Sequence, residues 1–330
     1  MTRASRQIVV LACLFFSLLS PFIGVGETAA QTALQKVTVS YSSSGINSMD
    51  LFLSKEKGFF REEGLEPQIV RMSANIAITA GISGEVDALA SIGGAIRSIQ
   101  RGAPLRVLAV TLRRPLFWLV ARSEYRSVKD LRGKVLGLTS IGGSQHTMAK
   151  RMLGLGGLDA DKELTSIQVG DESLQLQALV SDSIQVTAVS PPWFLVARDK
   201  FKMNILDSSI DKFASIQNGL ALPLKTLQEK PELVKKLVRA RAKGNRYLLE
   251  NELEASEMLA RVYRVDFKTA LESYRSSKPA FTHTGIPTDE EIREYLALDA
   301  QILKLPEPVP RAKVFDFSLQ REVNRELGIK

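Results

Sequence analysis

The side chains best suited to chemistry are few. His146 and His283 are the only histidines and stand 137 residues apart, without the H-E-x-x-H spacing that places two imidazoles on one helix face around a metal. The one cysteine, Cys13, lies near the start of the chain, so neither a multi-cysteine metal site nor a disulfide framework can be assembled. No metal site and no cofactor is expected. Neither a G-x-x-x-x-G-K-S/T loop nor a G-x-S-x-G elbow occurs, which excludes a P-loop and an α/β-hydrolase nucleophile. Gly154-Leu155-Gly156-Gly157 closes a predicted helix and does not lead a strand into one, so it reads as a C-cap. No catalytic residue is assigned.

What recurs instead is a polar or glycine-bearing loop between a strand and a helix. Ser42–Asn47, Ser73–Asn75, Ser91–Gly94, Thr139–Gln145 and Ser190–Trp193 share this character. Such loops present hydroxyls and free backbone N–H groups at helix N-termini, where the dipole favours an anion or a polar oxygen. In open parallel sheets they lie beyond the carboxyl ends of the strands, where ligands bind. Ser, Asn and Asp also cap helices with no ligand present, so a single loop of this kind carries little weight. Two sets of them, on paired units, favour a site in a cleft.

The elements that must position these loops alternate in type. Short β-type runs at 37–41, 67–72, 88–91, 105–111, 117–121, 135–138, 164–169, 186–189, 203–206 and 216–222 are separated by stretches of helical period. The pattern predicts α/β architecture with parallel strands, followed by an almost wholly helical segment from Pro223 onward. Asn47 reads as a helix cap, and Pro192 as a residue of a first helical turn. A constant shift of 98 residues relates Val37 to Val135, Ser42 to Ser140, Gly45 to Gly143, Gly58 to Gly156 and Ile69 to Ile167. This echo predicts two similar α/β lobes, not one continuous sheet.

Composition bounds the rest. The chain has 330 residues, 45% hydrophobic and 24% charged, which excludes collagen-like, disordered and multi-span membrane classes and suggests two cores. Arg3 and Arg6, the apolar run 8–19, and Thr28-Ala29-Ala30 have the layout of a secretory signal peptide over residues 1–30, with cleavage expected after Ala30. Cys13 is followed by Leu14-Phe15-Phe16, inside the apolar run, which is the wrong place for a lipid-bearing cysteine. Loss of Arg3, Arg6 and Glu27 takes the net charge from +8 to +7. The remaining basic residues are scattered, as in Arg113-Arg114 and Lys235-Lys236, so no nucleic-acid partner is expected. An exported protein, soluble outside the cytoplasm, is expected.

Several segments resemble one family. Residues 55–65, KEKGFFREEGL, resemble the G-F-F-x-x-E-G-L segment of ABC-transporter periplasmic binding proteins of the nitrate/sulfonate/taurine and thiamine-pyrimidine-precursor type. Residues 83–87, SGEVD, and 127–134, SVKDLRGK, are similar to two further segments of that family, as are 229–234 and 285–287. The resemblance implies a two-lobed periplasmic-binding-protein type II fold in which lobe one is 31–122 plus 218–330, and lobe two, 123–217, is inserted into it. It places the crossings near Ala121–Tyr125 and Phe213–Leu220. It implies hinge closure on a small polar or anionic organic solute, followed by docking on an ABC permease with its ATPase.

By the same resemblance the cleft is lined from lobe one by Tyr41, Ser43, Ser44, Asn47, Ser73, Asn75, Ser91 and Gly93. From lobe two it is lined by Thr139, Ser140, Gly143, Ser144, Gln145 and Trp193. Ser44, Asn75 and Ser144 are the expected hydrogen-bond donors, and Trp193 a cover for a planar part of the ligand. Asp182 and Gln185 depart from the pattern of the lobe-two counterpart of S-G-E-V-D, so no particular solute follows. The alternatives are an enzyme resembling the thiamine-pyrimidine synthases, and a ligand-binding partner of a signalling receptor. The former relies on a cysteine-bearing motif that residues 31–330 lack.

Overall fold

The computed structural model describes residues 33–42, 45–210 and 212–330. The signal-peptide reading, Cys13, Ser43 and Ser44 lie outside the described residues. Among the described residues ten strands form two five-stranded sheets. In chain order they are β1 Gln35–Tyr41, β2 Leu65–Arg71, β3 Ala88–Ser91, β4 Leu105–Leu112, β5 Trp118–Ala121, β6 Val135–Leu138, β7 Thr165–Gln168, β8 Val186–Val189, β9 Asn204–Ser208 and β10 Asn218–Pro223.

The first sheet has the order β2-β1-β3-β10-β4 and the second β7-β6-β8-β5-β9. The 98-residue shift carries β3 onto β8 residue for residue, and β1, β2 and β4 onto segments that contain β6, β7 and β9. It also preserves register: Val39 opposes Ile69 in the first sheet, and Gly137 opposes Ile167 in the second. The fourth position of each sheet breaks the echo. It is filled by an antiparallel strand, β10 in the first and β5 in the second.

These two strands flank the passages between sheets. The chain leaves the first sheet after Leu112 and returns to it at Asn218, so all strands of the second sheet lie between β4 and β10. The first passage therefore comes before Trp118, not at Ala121–Tyr125, and the strand at 118–121 belongs to the second sheet. Pro115, which has no N–H to donate to a ladder, interrupts the strand pattern between the two. Near-continuous apolar runs stand on either side of that break, and such a run alone does not tell which sheet a strand joins.

Each sheet buries an apolar core on both faces, as strands in mainly parallel sheets do. Val37, Val39, Ala88 and Leu220 pack under Leu233, Val234, Leu237 and Val238 of the helix Pro231–Glu250. That spacing puts four apolar side chains on one helix face, each worth about 1.5–3 kcal/mol when fully buried. In the second sheet Leu136, Leu138, Val186 and Ala188 pack against Met148, Ala149 and Met152 of the helix Ser144–Leu155. Asn47 does not cap a helix: it lies inside the 3₁₀ turn Ile46–Ser48, buried, and the following helix Met49–Glu56 is led by Ser48. Pro192 likewise stands before the helix Trp193–Phe201, after a cis Pro191–Pro192 bond.

Candidate functional site

The polar loops at the carboxyl ends of the two sheets face one another. Between them lies a cavity of about 30 Å³. Asn47, Ser91, Gly93, Thr139, Ser140, Gly143, Ser144 and Gln145, all named in the sequence analysis, stand in the wall of this cavity. Ser73 and Asn75 do not. Ser73 precedes the helix Ala74–Ser83, and Asn75 is exposed on its first turn, where its carbonyl accepts from the Thr79 hydroxyl. Tyr41 and Trp193 line a separate groove of about 780 Å³, open to one side.

Phe117, Glu172, Gln217 and Asn218, which sequence reading missed, also stand in the cavity wall, with Ser42, Ala74 and Gly94. Glu172 follows the cap Asp171 and is fully buried. Its carboxylate accepts from the Ser190 N–H and hydroxyl, both at 2.7 Å. Gln217 belongs to the return passage between sheets. Its carbonyl accepts from Ile92 N–H at 2.8 Å and its side-chain oxygen from Leu116 N–H at 3.4 Å, which ties the two passages together. The Gln217 Nε2 donor and the Asn47 Oδ1 acceptor are buried with no partner among the described residues. Buried polar atoms in this state each cost roughly 1–3 kcal/mol, so both are primed for a solute or water.

The two sides meet tightly. Ile46 N–H donates to the Pro191 carbonyl at 2.8 Å, Arg97 to the Gly142 carbonyl at 3.2 Å, and Arg71 pairs with Asp171 at 3.1 Å. A Cβ at Gly45 would lie 1.7 Å from Ser190 Oγ, and one at Gly93 1.9 Å from Ser144 Oγ. Glycine is needed at both points for close approach, not for a left-handed backbone. A space of this size accommodates a water or two, not an organic solute.

Among the described lining residues no lysine or arginine is present, and Glu172 is the one acidic side chain. The Tyr263 phenol is held well above its ordinary range, first by burial and then by the Glu172 and Asp171 carboxylates.

Gln145, in the cavity wall, also braces its own loop. Its Oε1 accepts from Thr139 N–H at 2.6 Å, and its Nε2 donates to Ala188 O at 2.6 Å and Gln175 Oε1 at 2.9 Å. Both ends of the amide are engaged in fixing the loop after β6 against the end of β8. Gln145→Ala should therefore destabilise the protein by about 1–3 kcal/mol, because buried backbone groups lose partners. Urea unfolding checks this; an unchanged midpoint would contradict it.

His146, one turn into the same helix, accepts from Gly142 N–H through Nδ1 at 2.9 Å. Burial first, and then the nearby Lys150 charge, hold its imidazole below the ordinary histidine range. The stability this neutral ring contributes is present above the unfolded value, about 6.5, and is lost as pH falls from there through the folded value. Melting temperature should fall with acidification in the wild type, and that component should vanish in His146→Gln.

Residues 46–255 match the NMT1/THI5-like family. The chain belongs to the NMT1/THI5-like family. One curated relative is the riboflavin-binding protein RibY of Chloroflexus aurantiacus, 28% identical over 239 residues, which cover 69% of this chain and 67% of RibY. The alkanesulfonate-binding protein SsuA from Xanthomonas axonopodis pv. citri, solved bound to MOPS, superposes with a TM-score of 0.70 at 15% identity, over 87% of this chain and 99% of SsuA. The periplasmic nitrate-binding protein NrtA from Synechocystis PCC 6803 superposes with a TM-score of 0.69 at 15% identity, over 89% of each chain. The NMT1/THI5-like chain thus has the periplasmic-binding-protein fold of the SsuA/NrtA type. Among the described residues no helix is long and apolar enough to cross a membrane.

Proposed function

We propose that this protein is the extracytoplasmic solute-binding component of an ABC uptake system, exported through its first 30 residues. In this reading residues through Leu112 and from Asn218 onward form one lobe and Trp118–Ser208 the other, hinged at the two passages between sheets. A small polar organic solute enters when the lobes part and is enclosed when they meet, a hinge motion biased by contacts to both sides. The closed monomer then docks on a membrane permease coupled to an ATPase. The reading rests chiefly on one observation: polar loops from two sheets converge on a cavity whose wall holds an acceptor, Asn47 Oδ1, and a donor, Gln217 Nε2, that lack partners among the described residues. Family membership supports it. The Glu172 carboxylate in that wall argues for an uncharged or donor-bearing group at this point in preference to an anion.

Mass spectrometry of compounds released from the purified protein tests the reading, together with a thermal-shift screen of heteroaromatics, sugars, sulfonates and nitrate. A bound solute at one hundred times its Kd adds about 2.7 kcal/mol of stability. The expected result is one chemical class that raises melting and is recovered unchanged. Conversion of the bound compound would point to an enzyme on this fold, and no response to any class would overturn the reading.

A further inference from the structure

The Arg97 guanidinium reaches residues on both sides of the cavity. Arg97 is buried on the helix Gly93–Gln100, whose first residue stands in the cavity wall. Its Nε donates to Asp299 Oδ1 at 3.2 Å, on its own side, and its Nη1 to the Gly142 carbonyl at 3.2 Å, on the other. Asp299, on the helix Asp289–Leu303, also accepts from Gln100 Nε2 at 3.2 Å, which fixes the carboxylate that holds Arg97. Gly142 is held a second time. Its N–H donates to His146 Nδ1 at 2.9 Å, and its φ of +79° is one that glycine takes at no steric cost. Ser140 and Gly143, in the same turn, stand in the cavity wall.

We propose that the Gly142 turn is a proton-sensitive latch, which holds the two lobes together through Arg97 only while the His146 ring is neutral. This rests on the hinged, solute-binding reading above and adds a regulator to it. A neutral imidazole with its hydrogen on Nε2 leaves Nδ1 free to accept, whereas an imidazolium donates at both nitrogens. Protonation therefore turns Nδ1 into a donor facing the Gly142 N–H. The turn loses one of its two bonds, and the carbonyl that Arg97 reaches is no longer fixed. The new charge also repels Arg97 across the cleft.

The charged groups around the ring come from three helices. Burial first, then Lys150 on the same helix, disfavour the imidazolium; Asp161 on the helix Ala160–Glu163 favours it, and Arg97 disfavours it again. Asp161 is itself paired with Lys150. Arg151 lies over the Phe213 ring of the return passage, 4.0 Å from its centroid. Burial holds the Arg151 guanidinium below its ordinary value, while Asp299 favours its charge and Arg97 opposes it. Asp299 thus acts on a cation from each side. Burial, against the pull of Arg97, holds the Asp299 carboxyl above the ordinary carboxylate range, so its own protonation would weaken the same contact. With His146 as the switch, closure is favoured above the ordinary histidine value, about 6.5, and weakens as pH falls from there through the value of the joined form.

Spin labels on the exposed sites Ile82→Cys and Leu155→Cys, in a Cys13→Ser background, follow the separation of the lobes in the full chain as purified, at pH ~7.5 and ~5. The expected result is a short-distance component that loses about half its weight or more on acidification and returns on neutralisation. His146→Asn, whose amide oxygen stays an acceptor near the place of Nδ1 at both pH values, should keep that component. Arg97→Lys keeps a cation beside Asp299 without the second arm of the fork, and should lose the component at both pH values. If either variant folds poorly, isotope-labelled histidine in the wild type reads the same contact. Its magnetic resonance should show a bare His146 Nδ1 that takes up a proton over the pH range in which the short component is lost. A separation that ignores pH, or an equal response in His146→Asn, overturns the latch and leaves the solute-binding reading standing. The expected response in a protein that yields no compound, and that no class of solute stabilises in the thermal screen, overturns that reading and leaves the latch.

Discussion

Gly93→Ala should weaken solute binding by roughly ten- to a hundredfold while leaving each sheet folded. The added methyl would sit 1.9 Å from Ser144 Oγ and 3.3 Å from the Ile216 carbonyl, at the point where the helix after β3 faces the helix after β6. Within one lobe this is a small change, because Ser144 is on the opposite side of the cleft. Across the cleft it is a wedge. Overpacking of this kind costs about 1–3 kcal/mol, and in a two-state hinge that cost falls on the closed form alone. At 1.4 kcal/mol per tenfold, affinity falls accordingly. Gly45→Ala, whose Cβ would meet Ser190 Oγ at 1.7 Å, should act the same way. Calorimetry gives the affinity and urea unfolding the stability. Loss of stability equal to the loss of affinity would show that the glycines serve folding and not closure.

Arg241→Met should destabilise the protein by about 3–5 kcal/mol, with little direct effect on the cleft. Arg241, on the helix Pro231–Glu250, pairs with Asp50 on the helix Met49–Glu56, and the two side chains are 1% and 0% exposed. Removing one partner strands the other charge in a medium that solvates it poorly. The pair is already imperfect, since Arg241 Nε and Nη1 and Asp50 Oδ1 lack partners among the described residues. The double substitution Asp50→Leu, Arg241→Met should therefore recover most of the loss. Equilibrium unfolding of the two singles and the double is the check. Additive losses would show that the two residues act separately and not as a pair.

Much of the architecture is legible in the chain. The short β-type runs at 88–91, 135–138 and 186–189 are the strands β3, β6 and β8, and the helix Ser144–Leu155 runs between its Gly143 cap and Gly156 as its flanking glycines suggest. The 98-residue echo survives as matched register because both units repeat one βα plan, and local pattern is inherited with the plan. What local pattern cannot carry is sheet membership. β5 and β10 are each apolar strands of ordinary appearance, yet each is inserted between strands it does not adjoin in sequence.

The site divides along the same line. Ser91, Gly93, Thr139, Ser140, Gly143 and Ser144 sit at strand-to-helix turns, so their place near a cleft follows from topology. Glu172 reaches the wall because a helix start turns it inward, and Gln217 because the chain crosses back there; their only sequence signals were the preceding Asp171 and the nearby β10 run. Gln145 shows the converse, a polar residue at a ligand-type position whose amide is consumed by backbone partners.

The central claim is that two lobes close on a solute, and one distance tests it most directly. Ile82, on the helix Ala74–Ser83, and Leu155, at the end of the helix Ser144–Leu155, are 43% and 64% exposed. Spin labels on Ile82→Cys and Leu155→Cys, in a Cys13→Ser background, report the separation of the two units by pulsed electron resonance. A broad or longer distribution that collapses to one short distance when the compound released from the protein is added is the predicted result. A distribution that does not change across saturation, with binding confirmed by calorimetry, would contradict the account.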